Sequence, residues 1–224
     1  PSFNADTLDF EGELAVIIGT RARHAANGAE HIAGYSVIND YTQRHFQKRT
    51  QQWHQGKSLE KTAGFGPWLD TEWQPGPAIT TTVNGEVMQH APTDDLVFTP
   101  EKLVEFISHL YPLEPGDVIA TGTPAGVAFG YPDPKPYLRC GDVIETHIDL
   151  LGGHRLDELV GGGGGGGVGF EVLSSLLNQR VLEDDGGEPA VVVRVVAVGG
   201  VAADEEPTSG SPGATRARLL AGQP

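Results

Sequence analysis

An apolar run, Leu14-Ala15-Val16-Ile17-Ile18, follows the mixed stretch Asp9-Phe10-Glu11-Gly12-Glu13 and stops at Gly19, which predicts a buried first strand over residues 9–19. Arg21 to Glu30 is polar and reads as a connection. His31 to Asp40 predicts a second strand that ends on the turn-prone pair Asn39-Asp40. Tyr41 to Arg49 lacks Gly and Pro and predicts a short helix, on which Asp40, Arg44 and Gln47 would share a face. Two β-rich segments, Ala78–Val83 and Glu86–His90, flank Asn84-Gly85; both central residues of a type I′ turn need positive φ, so this is a hairpin. Thr99-Pro100-Glu101 opens a helix whose expected buried stripe is Leu103, Phe106, Ile107 and Leu110, and which ends before Pro112. Val118–Thr121 is a further strand, Gly122–Val127 a loop, and Gly141–Glu145 the start of one more strand.

From Gly161 the pattern breaks. Seven consecutive glycines form a linker, and beyond them Gly, Ala, Val, Pro and Arg dominate. The expected organisation is therefore a catalytic domain over 1–160, a poly-glycine linker over 161–167 and a tail over 168–224. Within the tail, Phe170 to Val181 has the pattern of an amphipathic helix and Ala190 to Val198 that of a strand, but neither carries a motif. It reads first as an irregular appendage, with an artefact of sequence definition or a small accessory domain as the alternatives.

Composition narrows the functional classes. A formal net charge of -15 argues against a nucleic-acid partner. All eight histidines lie in the first 160 residues, so titratable chemistry concentrates there. The single Cys140 excludes a disulfide framework, makes a thiolate zinc site unfavourable and fits a reducing cytoplasm. No apolar run reaches the roughly 18 residues of a membrane span, and no signal peptide is visible. The chain begins at Pro1, so an upstream segment would not show.

The chemistry that remains is oxygen chemistry. In a strand, Glu11 and Glu13 point the same way. Two carboxylates so placed are either a solvated strand end or half of a hard-cation site. Asp40 is a third carboxylate at a strand end, and Lys57, Arg44 and Thr123 are candidate anion partners. Three carboxylates would offer Mg²⁺ or Mn²⁺ a face of oxygens. Competing patterns fail: Gly56-Lys57-Ser58 resembles the end of a phosphate loop, but Gln51 stands where the first glycine is required. No Gly-x-Ser-x-Gly elbow occurs, and the histidines lack helical zinc spacing.

Five ordered motifs between about residues 9 and 150 resemble the fumarylacetoacetate hydrolase family. They are Phe10-Glu11-Gly12-Glu13-Leu14, Gly34-Tyr35 through Asn39-Asp40 with Arg44 and Gln47, Gly56-Lys57-Ser58 with Gly66-Pro67-Trp68-Leu69, Gly122-Thr123-Pro124-Ala125-Gly126-Val127, and Gly141-Asp142-Val143-Ile144-Glu145. The resemblance implies an α+β fold, a β-rich mixed-sheet roll of that family's C-terminal-domain type, forming a homodimer. It implies that Glu11, Glu13 and Asp40 bind Mg²⁺ or Mn²⁺, with Ca²⁺ as a further candidate. Lys57 would stabilise an enolate or oxyanion, Arg44 and Gln47 would orient polar groups, and Thr123 with Gly122 would hold a substrate carboxylate.

The implied activity, nearest to the acylpyruvate (fumarylpyruvate-type) branch, is hydrolysis of a C–C bond in a 1,3-diketo acid, giving pyruvate and a carboxylic acid. Decarboxylation or isomerisation of 2-oxo diacids, and a catalytically inactive binding or scaffold homologue, are the alternatives. Two departures from the family pattern stand out. Relatives carry a water-activating His and Glu pair well before the Glu-x-Glu strand, whereas only eight residues precede Asp9; His45 and His54 are the candidate substitutes. The stretch Leu59-Glu60-Lys61-Thr62-Ala63-Gly64 also differs from the aromatic, Asp-Thr and Pro pattern of relatives.

Overall fold

The computed structural model describes residues 6–59, 62–156 and the backbone of 195–197. Its elements are β1 (Leu8–Asp9), β2 (Gly12–Ile18), a 3₁₀ turn (Gly28–His31), β3 (Ile32–Asp40), β4 (Thr42–Gln43), α1 (Arg44–Gln47) and α2 (His54–Lys57). There follow β5 (Ala63–Phe65), β6 (Ala78–Val83), β7 (Glu86–Pro92), α3 (Pro100–Leu110), β8 (Val118–Ala120), a second 3₁₀ turn (Ala128–Gly130), β9 (Ile144–Ile148), β10 (Gly152–Leu156) and β11 (Val195–Ala197). This is a strand-rich α+β roll. One sheet runs β11-β8-β2-β3-β5, a second β10-β9-β6-β7, and β1 pairs with β4.

β2 lies inside the first sheet, which is why its apolar residues run without a polar break. Leu14, Val16 and Ile18 join the main core with Val37, Ile79, Leu103, Ile107, Ile119 and Ile148. The alternate positions Ala15 and Ile17 meet Ile38, Val118 and Ala120 on the other face. Full burial of each such aliphatic side chain stabilises by about 1.5–3 kcal/mol. The second sheet packs where β2 and β3 pass over β6 and β9. A Cβ on Gly12 would come within 2.2 Å of Thr81 Oγ1, so glycine permits the close approach there.

The predicted hairpin is present, with Asn84 at φ 52° and Gly85 at φ 81°, as a type I′ turn requires. The first strand differs from its expected 9–19 span: it is interrupted at Phe10-Glu11, and β1 leaves to pair with β4. The Tyr41–Arg49 helix is shorter than expected, because Thr42 and Gln43 are taken into that pairing with Leu8 and Asp9 and only Arg44–Gln47 is helical. In α3 the expected stripe is half right. Leu103 and Ile107 are buried, but Val104 and Ser108 complete the face, while Phe106 and Leu110 are 57% and 62% exposed. Positions 103, 104, 107 and 108 form one 3–4 stripe, and 106 and 110 belong to its neighbour.

β11 pairs in parallel with β8, Val196 opposite Ile119, inside the stretch expected as a tail strand. The Phe170–Val181 helix lies outside the described residues. Among the described residues, no helix is long and apolar enough to cross a membrane.

Candidate metal and substrate site

The register of β2 and β3 creates the site. Glu13 is opposite Ile38 and Gly12 opposite Asn39. The pairing continues past the end of β2, where the Asp40 N–H donates to the Glu11 carbonyl at 2.9 Å. Glu11 and Asp40 are therefore cross-strand neighbours, and Glu13 lies two residues along on the same face. Asn39 supports this end: its Oδ1 accepts from the Glu11 N–H at 2.9 Å and its Nδ2 donates to Thr146 Oγ1 at 2.9 Å.

One carboxylate oxygen from each of Glu11, Glu13 and Asp40 lies within 4.8 Å of the others. All three residues are buried, at 7%, 4% and 5% exposure. The solvated alternative is thus corrected. Burial, then the neighbouring Asp40 and Glu11 charges, push the Glu13 carboxyl up to about 8, against a hydrogen bond from the Gly122 N–H at 2.8 Å. Burial likewise raises Asp40, and Lys57 only partly offsets this because Glu11 acts against it. A convergent set of buried oxygen donors with excess negative charge fits a hard divalent cation.

Lys57, at the end of α2, reaches into the same cluster. Its Nζ is 2.5 Å from Glu11 Oε2 and 2.5 Å from Asp40 Oδ2, and it donates to Thr42 Oγ1 at 3.0 Å. Desolvation alone would lower the ammonium; the Glu11 and Asp40 carboxylates outweigh it and leave it raised. The shifts of Lys57 and Asp40 are not mirror images. Lys57 gains two anions, whereas Asp40 gains Lys57 and, more weakly, Arg44 but keeps the anionic Glu11 as a neighbour, so Lys57 stays charged and the carboxylates remain under-compensated.

Arg44, at the start of α1, uses all three guanidinium nitrogens. Nε donates to Asp9 Oδ2 at 2.8 Å, Nη2 pairs with Glu11 Oε1 at 2.7 Å, and Nη1 donates to Gln47 Oε1 at 3.1 Å. Arg44 and Gln47 thus share a face of α1 as predicted, but Asp40 lies on β3 rather than on that helix.

The loop after β8 closes the other side. Gly122, at φ 99°, turns its N–H onto Glu13. Thr123 Oγ1 donates to the Gly12 carbonyl at 3.0 Å and accepts from Gln89 Nε2 at 2.8 Å. Gln89 also accepts from the Gly12 N–H and donates to the Pro124 carbonyl. The structure therefore brings Glu11, Glu13, Asp40, Lys57, Arg44, Gln47, Gly122 and Thr123 into one connected network. His45 and His54 are exposed, His54 being bonded to Ser58.

Sequence reasoning assigned no role to Asp9, Asn39, Thr42 or Gln89. Asp9 had a faint signal, the alternation Asp9-x-Glu11-x-Glu13. Gln89 had none, since nothing local marks which hairpin residue crosses to β2.

Residues 1–157 match the family described as fumarylacetoacetate (FAA) hydrolase C-terminal. An oxaloacetate tautomerase of Bacillus subtilis is 42% identical over 151 residues, which is 65% of this chain and 50% of that protein. Among solved structures, a fumarylacetoacetate hydrolase from Exiguobacterium antarcticum has a TM-score of 0.65 at 43% identity, covering 68% of this chain and 56% of that one. A fumarylpyruvate hydrolase from Pseudomonas aeruginosa, in complex with Mn²⁺ and pyruvate, has a TM-score of 0.62 at 29% identity, covering 70% and 67%. The chain spans about half the length of the curated relatives it matches.

Proposed function

Since this chain belongs to the fumarylacetoacetate hydrolase family, we propose that it is a divalent-cation-dependent enzyme acting on a 2-oxo or 1,3-diketo acid. The reaction proposed first is hydrolysis of an acylpyruvate: water adds to the distal carbonyl, the C–C bond to the methylene carbon breaks, and a carboxylic acid and pyruvate result. The activity is assigned to residues 1–160, joined through the glycine run 161–167 to residues 168–224. The observation that carries the reading is the buried triad of Glu11, Glu13 and Asp40 with the Lys57 ammonium among its oxygens.

Glu11, Glu13 and Asp40 would hold Mg²⁺ or Mn²⁺, which supplies Lewis-acid stabilisation of negative charge on adjacent substrate oxygens. Lys57 holds a fixed positive charge, steadied by Thr42, beside the same oxygens. It would stabilise an enolate oxygen, and removing one such donor typically costs about 3–4 kcal/mol in the transition state. Arg44 would act on the substrate through Glu11, since each of its three nitrogens already holds a protein partner: Asp9, Glu11 and Gln47. Gln47 accepts from Arg44 through Oε1, which leaves its Nε2 as the donor for a substrate oxygen. Thr123 and the Gly122 turn would frame the substrate carboxylate, with Gln89 holding the threonine in place.

A second reading, keto–enol isomerisation of a 2-oxo diacid, is supported by the relative named an oxaloacetate tautomerase. It needs the same enolate stabilisation and no hydrolytic water. A pyruvate-coupled assay on a panel of acylpyruvates, with and without Mn²⁺, tests the first reading. Metal-dependent pyruvate release is expected. Its absence across the panel, with metal-dependent loss of the oxaloacetate enol absorbance, would transfer the assignment to the second.

A further inference from the structure

Asp9 is fully buried, and four donors converge on its carboxylate. Oδ1 accepts from the N–H of Phe10 at 2.9 Å and of Ala128 at 2.8 Å. Oδ2 accepts from the N–H of Phe129 and from Arg44 Nε, at 2.9 and 2.8 Å. Four donors divided over two oxygens suit the ionised form, whose two oxygens accept equally, and they oppose the upward push of burial on this carboxyl. This one group thus ties together three segments distant in sequence: β1, the first residue of α1, and the 3₁₀ turn that follows the Gly122–Val127 loop.

The consequence reaches the cation site through Arg44. With Nε fixed on Asp9, the planar guanidinium has its direction set, and Nη2 is presented to Glu11 Oε1 at 2.7 Å. Holding Oε1 from behind turns Oε2 toward the space it shares with Asp40, where Lys57 now sits. We infer that Asp9 is a positioning residue for the cation site, acting through Arg44 to set the Glu11 carboxylate and anchoring the substrate-side loop to the same point. A carboxylate oriented in this way from outside the ligand set commonly accounts for 10–100-fold in metal affinity.

Asp9→Asn is the sharpest probe, because it preserves shape yet turns an amide NH₂ toward two existing donors. Arg44→Lys is the companion: it retains a cation beside Asp9 but loses the fork that spans Asp9 and Glu11. Both are compared with wild type by Mn²⁺ titration, reading free Mn²⁺ by electron paramagnetic resonance, with folding checked by circular dichroism.

The inference rests on the cation reading above, so the wild-type titration comes first; no Mn²⁺ uptake there overturns both. If wild type binds, affinity is expected to fall about 10-fold or more in D9N and in R44K. The double variant D9N/R44K should then be no weaker than R44K within about twofold, because the two residues act in series. A purely structural Asp9 predicts instead a less stable D9N whose folded form binds Mn²⁺ as wild type does, or losses that multiply in the double variant. Either result overturns this inference and leaves the cation reading standing. Should D9N fail to fold, D9E takes its place, since it keeps the charge but displaces it from Arg44: a loss of about 10-fold that R44K does not deepen supports the inference, and wild-type affinity in D9E overturns it.

Discussion

Replacing Lys57 with methionine tests whether the carboxylate triad needs a positive charge to remain buried. The Lys57 side chain is 12% exposed, and its Nζ lies 2.5 Å from two carboxylate oxygens. At an effective dielectric of about 20, a pair of unit charges that close attracts by about 7 kcal/mol before desolvation. Desolvating the ammonium takes back several kcal/mol, and removing one partner of a buried pair costs about 3–5 kcal/mol net, because the stranded charge stays buried.

Methionine keeps the apolar stem, so packing changes little and charge is the main variable. Urea unfolding of metal-free K57M should show a loss of about 3–5 kcal/mol relative to wild type. Saturating Mn²⁺ should shrink that gap, since a divalent cation compensates the same oxygens that Lys57 serves. A metal-free variant within about 1 kcal/mol of wild type would refute the reasoning, as would Mn²⁺ stabilising wild type more than K57M.

The raised Glu13 carboxyl gives a pH dependence of definite sign. Between its ordinary 4.5 and about 8 the folded chain holds a proton that the unfolded chain has released, so the Glu13 contribution to metal-free stability falls as pH rises through that window. Binding a cation must expel that proton. Calorimetric titration with Mn²⁺ at pH 7, in buffers of different ionisation enthalpy, should therefore report release of up to about one proton, fading above pH 8; heats independent of buffer at pH 7 would contradict it. Gly126→Ala addresses the loop: at φ 109° its new Cβ would fall 1.9 Å from the Met88 carbonyl. A loss of about 2 kcal/mol or more in thermal unfolding is expected, with weaker substrate binding as the Gln89–Thr123 contact shifts; unchanged melting would argue against so close an approach.

Local chemistry carried much of this protein in its sequence. The Asn84-Gly85 hairpin, the buried strand at Leu14–Ile18 and the proline-led α3 follow from turn propensity, apolar run length and a proline in the first helical turn, all of which act over a few residues. Glu11 and Glu13 could also be picked out as paired acidic residues beside an apolar run, whereas the roles of Asp40 and Lys57 followed only from the resemblance to the family. Tertiary structure alone decided that Asp40 would lie across from Glu11, that Lys57 would reach both, and that Gln89 would hold Thr123. It also decided that Asp9 would accept from Ala128 and Phe129, 119 and 120 residues away. Which face of α3 is buried was settled in the same way: Phe106 and Leu110 are as apolar as their buried neighbours, and only the position of the sheet distinguishes them. Hydrophobic periodicity specifies that a face exists, whereas strand register and the crossing of distant segments specify what that face meets.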